Sequence, residues 1–201
     1  MSAVTAARDL MTFLSSAVRS PTVVGAIAPS GRALSDLLAS VAPATPSAVV
    51  VELGPGTGVV SAALRRRLPA EARHVAVELD PGMVAHLRTT APWLEVVEGD
   101  AIALQELLAE RGITRADAVV SGLPWTLFPA RAQDGIIEQV TKVLAPGALF
   151  TTFAYSHVTR LAAQRRFRAL LERSFDEVLV TPTVWRNLPP ALAYQCRLPA
   201  A

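Results

Sequence analysis

The chain of 201 residues has one cysteine, Cys196. A single thiol excludes an internal disulfide and any cysteine-cluster metal centre, and no metal site is expected. Aromatic residues are only 5% and charged residues 18%. Charge of one sign is scarce too: 19 basic against 17 acidic residues leave a net charge of +2, although the pI is about 9.2. That near-balance lacks the basic footprint of a nucleic-acid binder. No apolar run approaches the ~18 residues of a membrane span. Residues 1–10 have neither the basic stretch nor the continuous apolar core of a secretory signal, so cytoplasmic residence is expected. Repeats and low-complexity segments are missing. So are G-x-x-x-x-G-K-[ST] and G-x-G-x-x-G, the phosphate loops of P-loop and dinucleotide enzymes. What remains is a hydrophobic share of 51%, at a length that suits one domain with a full core.

The rest of the chain is organised around residues 49–60, VVVELGPGTGVV. Three valines ending in Glu52 and Leu53 read as a buried strand. Gly54, Gly56 and Gly58 form a tight loop, and a helical pattern follows at once. The first turn of that helix offers unpaired N–H groups and a positive dipole end. Such a unit binds a nucleotide-like ligand across the carboxyl end of a sheet. The spacing G-x-G-x-G, with Glu52 two residues ahead, disfavours a pyrophosphate and suits a ligand carrying an ammonium group.

Before this block, residues 2–19 carry apolar positions at heptad spacing opposite a polar face, and Pro21 ends the pattern. This amphipathic helix is either a lid on the domain or a membrane-surface contact. Its Arg8 and Arg19 are offset by Asp9. Ser30 is the expected N-cap of a helix with Leu34, Leu37, Leu38 and Val41 on one face. The expected division is a helical lid or membrane-contact segment over 1–46 and a catalytic domain over 47–201.

After the glycine loop, strands and helices alternate, which gives an α/β class. The second strand, residues 74–80, ends in Glu78, twenty-six positions after Glu52. A carboxylate there accepts from ribose hydroxyls; its other reading is a helix cap, but Asp80 already fills that role. The third strand ends in Asp100, which either meets a ligand or caps the helix expected over 101–111. The fourth runs over 117–121 into Ser121-Gly122-Leu123-Pro124-Trp125. A helix over 130–143, a turn at 145–147 and a fifth strand over 148–153 follow. Beyond it lie Tyr155 and His157, a basic helix over 158–174, and two last strands over 175–182 and 191–198. Cys196 falls in the last of these, as a core or edge side chain without a chemical role.

The glycine block resembles motif I of the class I S-adenosylmethionine-dependent methyltransferases. Four segments narrow the resemblance: VGAIAPS at 24–30, the motif I block, VVSGLP at 119–124 and VWRNLPPA at 184–191. Together they resemble the bacterial phospholipid N-methyltransferases, which methylate phosphatidylethanolamine; that family is similar to the ribosomal RNA adenine dimethyltransferases. The resemblance implies a Rossmann-like, seven-stranded, mostly parallel sheet with an antiparallel last strand and helices on both faces. It implies S-adenosylmethionine as cofactor, bound by Glu52, Gly54, Gly56, Gly58, Glu78, Leu79, Asp100, Ala101 and Ser121. Asp100 and the Ala101 N–H would meet the adenine. It also implies peripheral attachment at the inner face of a membrane, with residues 2–19 on an anionic surface.

The expected acceptor is the phosphatidylethanolamine head group, a methylated derivative or another amphiphilic amine. RNA adenine, a small-molecule amine and a non-catalytic cofactor- or lipid-binding role are the alternatives. Base-methylating relatives carry a polar residue where this chain has Gly122. Leu123, Pro124 and Trp125 are expected to line the acceptor site. Arg186 is expected to pair with a lipid phosphate or to form a hairpin salt bridge. An ammonium has no lone pair, so a base or a desolvating pocket must remove its proton. Tyr155 and His157 are the candidates: Tyr155 as acceptor or cation–π partner, and His157 as a base, since histidine titrates near about 6.5, or as a helix-start residue.

Overall fold

The computed structural model describes residues 31–200. The helix expected over 2–19, the VGAIAPS segment and the cap Ser30 lie outside the described residues.

Seven strands form one sheet in the order β3-β2-β1-β4-β5-β7-β6. They are β1 (Val49–Leu53), β2 (Arg73–Glu78), β3 (Glu95–Glu98), β4 (Ala116–Ser121), β5 (Leu144–Tyr155), β6 (Glu177–Val180) and β7 (Ala191–Arg197). The first five run parallel, and β7 is antiparallel to both β5 and β6. The valine runs of β1 and β4 suit central parallel strands, which are covered on both faces. Chain order reverses between β1 and β4, which opens the crevice where α/β sheets bind ligands.

Helices α1 (Arg32–Ala39) and α2 (Val59–Arg67) cover one face. There Leu34, Leu38, Val60 and Leu64 share a buried cluster with Val50 and Val120. Also on this side, over β2 and β3, lies α3 (Pro81–Thr90), with Leu87 against Ala76. Helices α4 (Leu104–Ala109), α5 (Ala130–Val143) and α6 (Ala162–Ser174) cover the other face against Val51, Val119 and Phe150. Each fully buried Leu or Phe contributes about 1.5–3 kcal/mol. Helix α1 starts at Arg32 without a side-chain cap, and its N-cap residue Gly31 donates its N–H to Asn187 Oδ1 at 2.7 Å.

Three elements differ from the sequence pattern. The helix expected from 101 opens as a 3-10 turn, Ala101–Ala103. The basic helix starts later than expected, because a 3-10 turn, Ser156–Val158, intervenes and the Ser156 N–H is held by Pro190 O at 2.8 Å. The turn at 145–147 is a bulge inside β5. Between Ala116 and Ala118 of β4, the facing strand advances from Leu144 to Leu149, and Gly147 takes φ +74°.

Two contacts fix the crevice. The Gly122 N–H donates to Leu53 O at 2.8 Å, and a Cβ on Gly122 would lie 2.6 Å from Gly54 O. The end of β4 therefore lies flush on the glycine loop. Cys196 is buried in β7, and burial pushes its thiol up to about 12.

Gly122→Ala is expected to destabilise the protein by about 1–3 kcal/mol, because the added methyl must displace backbone. Thermal unfolding checks this. In the native protein Cys196 is expected to resist a disulfide reagent at mildly alkaline pH and to react on addition of denaturant.

Candidate active site

A groove runs along the carboxyl ends of β1, β2 and β3. Gly54, Glu78, Leu79, Asp100, Ala101 and Leu123 are among its walls. Gly54, Gly56 and Gly58 take φ of 64°, 54° and 83°, the left-handed region that glycine alone enters cheaply. The Glu78 carboxylate organises this end. Its Oε2 accepts the Gly56 N–H at 3.0 Å, and its Oε1 accepts the N–H groups of Leu79 at 2.9 Å and Asp80 at 3.0 Å. A carboxylate has about four acceptor positions. The fourth, on Oε2, has no partner among the described residues, so Glu78 shapes the loop and still offers an acceptor to the groove. Asp80 caps α3 through the Met83 N–H at 2.9 Å, as its sequence position suggests. Asp100 fills its capping alternative, its Oδ1 accepting the Ile102 N–H at 3.1 Å in the 3-10 turn, and the residue lines the groove. Ala101 is the first residue of that turn, where N–H groups lack partners within the turn.

Glu52 is turned elsewhere. It is 1% exposed and is not among the described residues lining the groove. Its Oε2 lies 3.1 Å from His74 Nε2, at the start of β2. Side chains alternate along a strand, so Glu52 points with Val50 to the α2 side. The pair ties β1 to β2 beneath the glycine loop instead of meeting an ammonium group. Ser121 is fully buried as well, and its Oγ accepts the Leu123 N–H at 3.3 Å, shaping the acceptor loop from below.

Beside the groove opens a second cavity of about 220 Å³. Leu123 belongs to both and forms the wall between them. Pro124, Phe153, Tyr155 and His157 are among its other walls. The Tyr155 ring stacks on His157 with centroids 5.8 Å apart and meets the edge of Phe153 at 5.4 Å. Burial raises the Tyr155 phenol above its ordinary value, so it keeps its proton through neutral pH and offers the cavity a hydroxyl and a π face. His157 is exposed on its 3-10 turn.

Trp125 touches the cavity but its ring belongs to the core. It is 2% exposed, stacks on Phe167 at 4.5 Å, and donates from Nε1 to Thr152 Oγ1 at 2.8 Å. It anchors the loop after β4 to the core. Gln133, which the sequence reading passed over, donates from Nε2 to Trp125 O at 2.6 Å and to Phe128 O at 3.3 Å. The signal was available: a glutamine on the helix face of Ile136, Ile137 and Val140 is a polar group at a core position. Arg186 forms no ion pair among the described residues, which removes the hairpin salt bridge. Asn187 beside it is 2% exposed and also donates to Pro189 O at 2.7 Å.

Glu78→Gln is expected to weaken cofactor binding about 10- to 100-fold, since charge-assisted hydrogen bonds are worth about 1.5–3 kcal/mol each. Titration calorimetry with S-adenosylmethionine reads this directly, and unchanged affinity would show that the groove is not the cofactor site.

A methyltransferase-domain family model matches residues 50–147. The chain is 37% identical over 195 residues to the ornithine lipid N-methyltransferase of Singulisphaera acidiphila, covering 94% of this chain and 96% of that one. It is 38% identical over 80 residues to ribosomal RNA small subunit methyltransferase A of Acidithiobacillus ferrooxidans, which is 39% of this chain and 28% of that protein. Among solved structures, the N-methyltransferase NodS from Bradyrhizobium japonicum WM9 matches with a TM-score of 0.62 at 14% identity, covering 84% of this chain and 96% of that one. A TehB-like SAM-dependent methyltransferase from Corynebacterium glutamicum matches with a TM-score of 0.61 at 14% identity, covering 96% and 98%. At these identities the structural likeness establishes the fold. The full-length relative establishes more: the chain belongs to the S-adenosylmethionine-dependent methyltransferases, in the same family as that lipid N-methyltransferase.

Proposed function

We propose that the chain transfers a methyl group from S-adenosylmethionine to the amine of a membrane lipid. The observation that carries this reading is the mainly apolar cavity of about 220 Å³ that shares the Leu123 wall with the groove. An amine in the cavity and a methyl donor in the groove meet at that wall. The full-length relative, named as an ornithine lipid N-methyltransferase, supports a lipid acceptor. Ornithine lipid is therefore the first head group to test, with phosphatidylethanolamine, the expectation from sequence, beside it. Each presents an amine on a short tether near an anion.

Bound S-adenosylmethionine supplies an electrophilic methyl on a positive sulfur, so the protein's task is proximity and orientation. Gly54, Glu78, Leu79, Asp100 and Ala101 hold the cofactor. Leu123 and Pro124 set the acceptor against it. The Tyr155 ring faces the ammonium as a cation–π partner, and its neutral hydroxyl accepts an N–H. His157 takes the proton that the amine must shed before attack. Arg186 pairs with the head-group anion. Glu52 acts from beneath, through His74, and Trp125 through the loop it anchors. An adenine acceptor is less well served, because Gly122 offers no polar group and Gly54 leaves it no room for one.

Turnover of labelled S-adenosylmethionine against ornithine lipid, phosphatidylethanolamine and ribosomal RNA tests the reading. Label in a lipid is the expected result, and label confined to RNA overturns it. Tyr155→Phe is expected to keep most activity and the wild-type pH–rate profile, because the phenol stays neutral. Tyr155→Ala is expected to lose roughly 2- to 30-fold, the value of a cation–π contact of about 0.5–2 kcal/mol. A pH profile that changes in Tyr155→Phe would make the phenol the base.

A further inference from the structure

Strand β6 ends, and β7 begins, at the same edge of the sheet as Tyr155, which pairs with Ala191. The loop between them therefore leaves the sheet at the end where Tyr155 lines the acceptor cavity. Its tip carries Trp185, 78% exposed, and Leu188, 82% exposed, the two most exposed large apolar side chains among the described residues. Exposure on that scale usually accompanies a floppy loop, yet this one is braced. Asn187, between the two, is buried and grips Gly31 N–H and Pro189 O. The Val184 N–H donates to Ala191 O at 2.7 Å, and the Asn187 N–H to Val184 O at 3.2 Å. A rigid loop that holds a tryptophan and a leucine in water is built to insert them elsewhere.

Charge identifies the partner. Arg186 stands between the two apolar side chains. Arg160, Arg165 and Arg166 lie on the turn and first half of α6, which leaves the same edge of the sheet. Among the described residues these four have neither a carboxylate within 4.0 Å nor a side-chain hydrogen bond, whereas Arg66, Arg73, Arg168, Arg173 and Arg197 are all paired. Residues 155–171 and 178–190 contain no Asp or Glu at all. Leu161, 52% exposed, adds an apolar side chain at the cavity rim itself. The net charge of the chain is small, so this concentration is local.

We propose that the 184–188 tip, with the unpaired arginines of α6, is a docking surface for an anionic phospholipid bilayer: Trp185 and Leu188 enter the interface while the arginines meet lipid phosphates. Tryptophan seats at the boundary of headgroup and acyl chain, and arginine stretches its apolar stem into that boundary with its charge at the phosphates. Docked so, the cavity mouth faces the layer that contains the acceptor, and a head group reaches Tyr155 without leaving the bilayer. The surface rests on the lipid reading of the acceptor, and it is distinct from residues 2–19.

The test separates docking from turnover. The full chain is mixed with vesicles of phosphatidylcholine alone, or of phosphatidylcholine with phosphatidylglycerol, lipids that contain no primary amine to methylate. Binding is read by flotation and by quenching of tryptophan with brominated acyl chains. The expected result is salt-sensitive binding to the anionic vesicles only, with quenching lost in Trp185→Phe. Trp185→Ala with Leu188→Ser, and separately Arg160→Gln with Arg165→Gln and Arg166→Gln, are expected to weaken binding about tenfold or more. The Trp185/Leu188 variant is further expected to keep activity on a soluble short-chain lipid amine and lose it on vesicles. Equal binding to neutral vesicles, unquenched Trp185, or wild-type binding by the Trp185/Leu188 variant overturns the docking surface, even if lipid turnover is found. Docking without methyl transfer to any lipid overturns the acceptor reading and leaves the surface standing.

Discussion

The site depends on one carboxylate that accepts three backbone N–H groups. Glu78 closes β2 and reaches across to Gly56 in the loop after β1, while it also turns its own chain into α3. Without it, three buried or half-buried donors at the edge of a crevice would need other partners, and the glycine loop would have no anchor on its ligand side. The charge placed at the proposed cofactor groove is therefore the charge that folds the loop. Binding and local stability cannot be varied separately at this position.

Around that anchor the molecule is fixed from two directions. From below, Glu52 and His74 hold β1 to β2 on the α2 face. From the side, the β4 loop is pinned by Trp125 against Phe167 and Thr152, and by the Gln133 amide on two carbonyls. Few of these contacts would be strong alone, since a neutral hydrogen bond nets about 0.5–1.5 kcal/mol. Together they leave the acceptor wall little freedom. Orientation is thus built in before any ligand arrives, which is what a displacement at an already activated carbon requires.

Much of this was legible. The valine runs, the glycine spacing and the acidic residues Glu78 and Asp100 located the sheet and the groove, because a strand buried on both faces and a backbone at positive φ leave few residue choices. Helix α5 was read to its observed limits, Ala130–Val143. The misses have a common cause. A sequence shows which residue occupies a position, not which way its side chain turns or what already satisfies it. Glu52 looked like a ligand for an ammonium, but the alternation of β1 aims it at His74. Trp125, expected to line the acceptor site, does touch the cavity, but its indole N–H is taken by Thr152, 27 residues away, which the sequence did not show. The β5 bulge escaped because Ala-Pro-Gly signals a turn whether or not pairing resumes beyond it.

The contact between Gly122 and Gly54 also bears on descent. The chain shares stretches with ribosomal RNA methyltransferases, and the polar residue that base-methylating loops use would stand where Gly122 does. A side chain there collides with Gly54 O, which belongs to the glycine loop. A lineage could not introduce that polar residue by one replacement at position 122, because the first casualty would be the glycine loop after β1. The two loops would have to part together, so any side chain at position 122 crosses an epistatic barrier set by a single backbone oxygen.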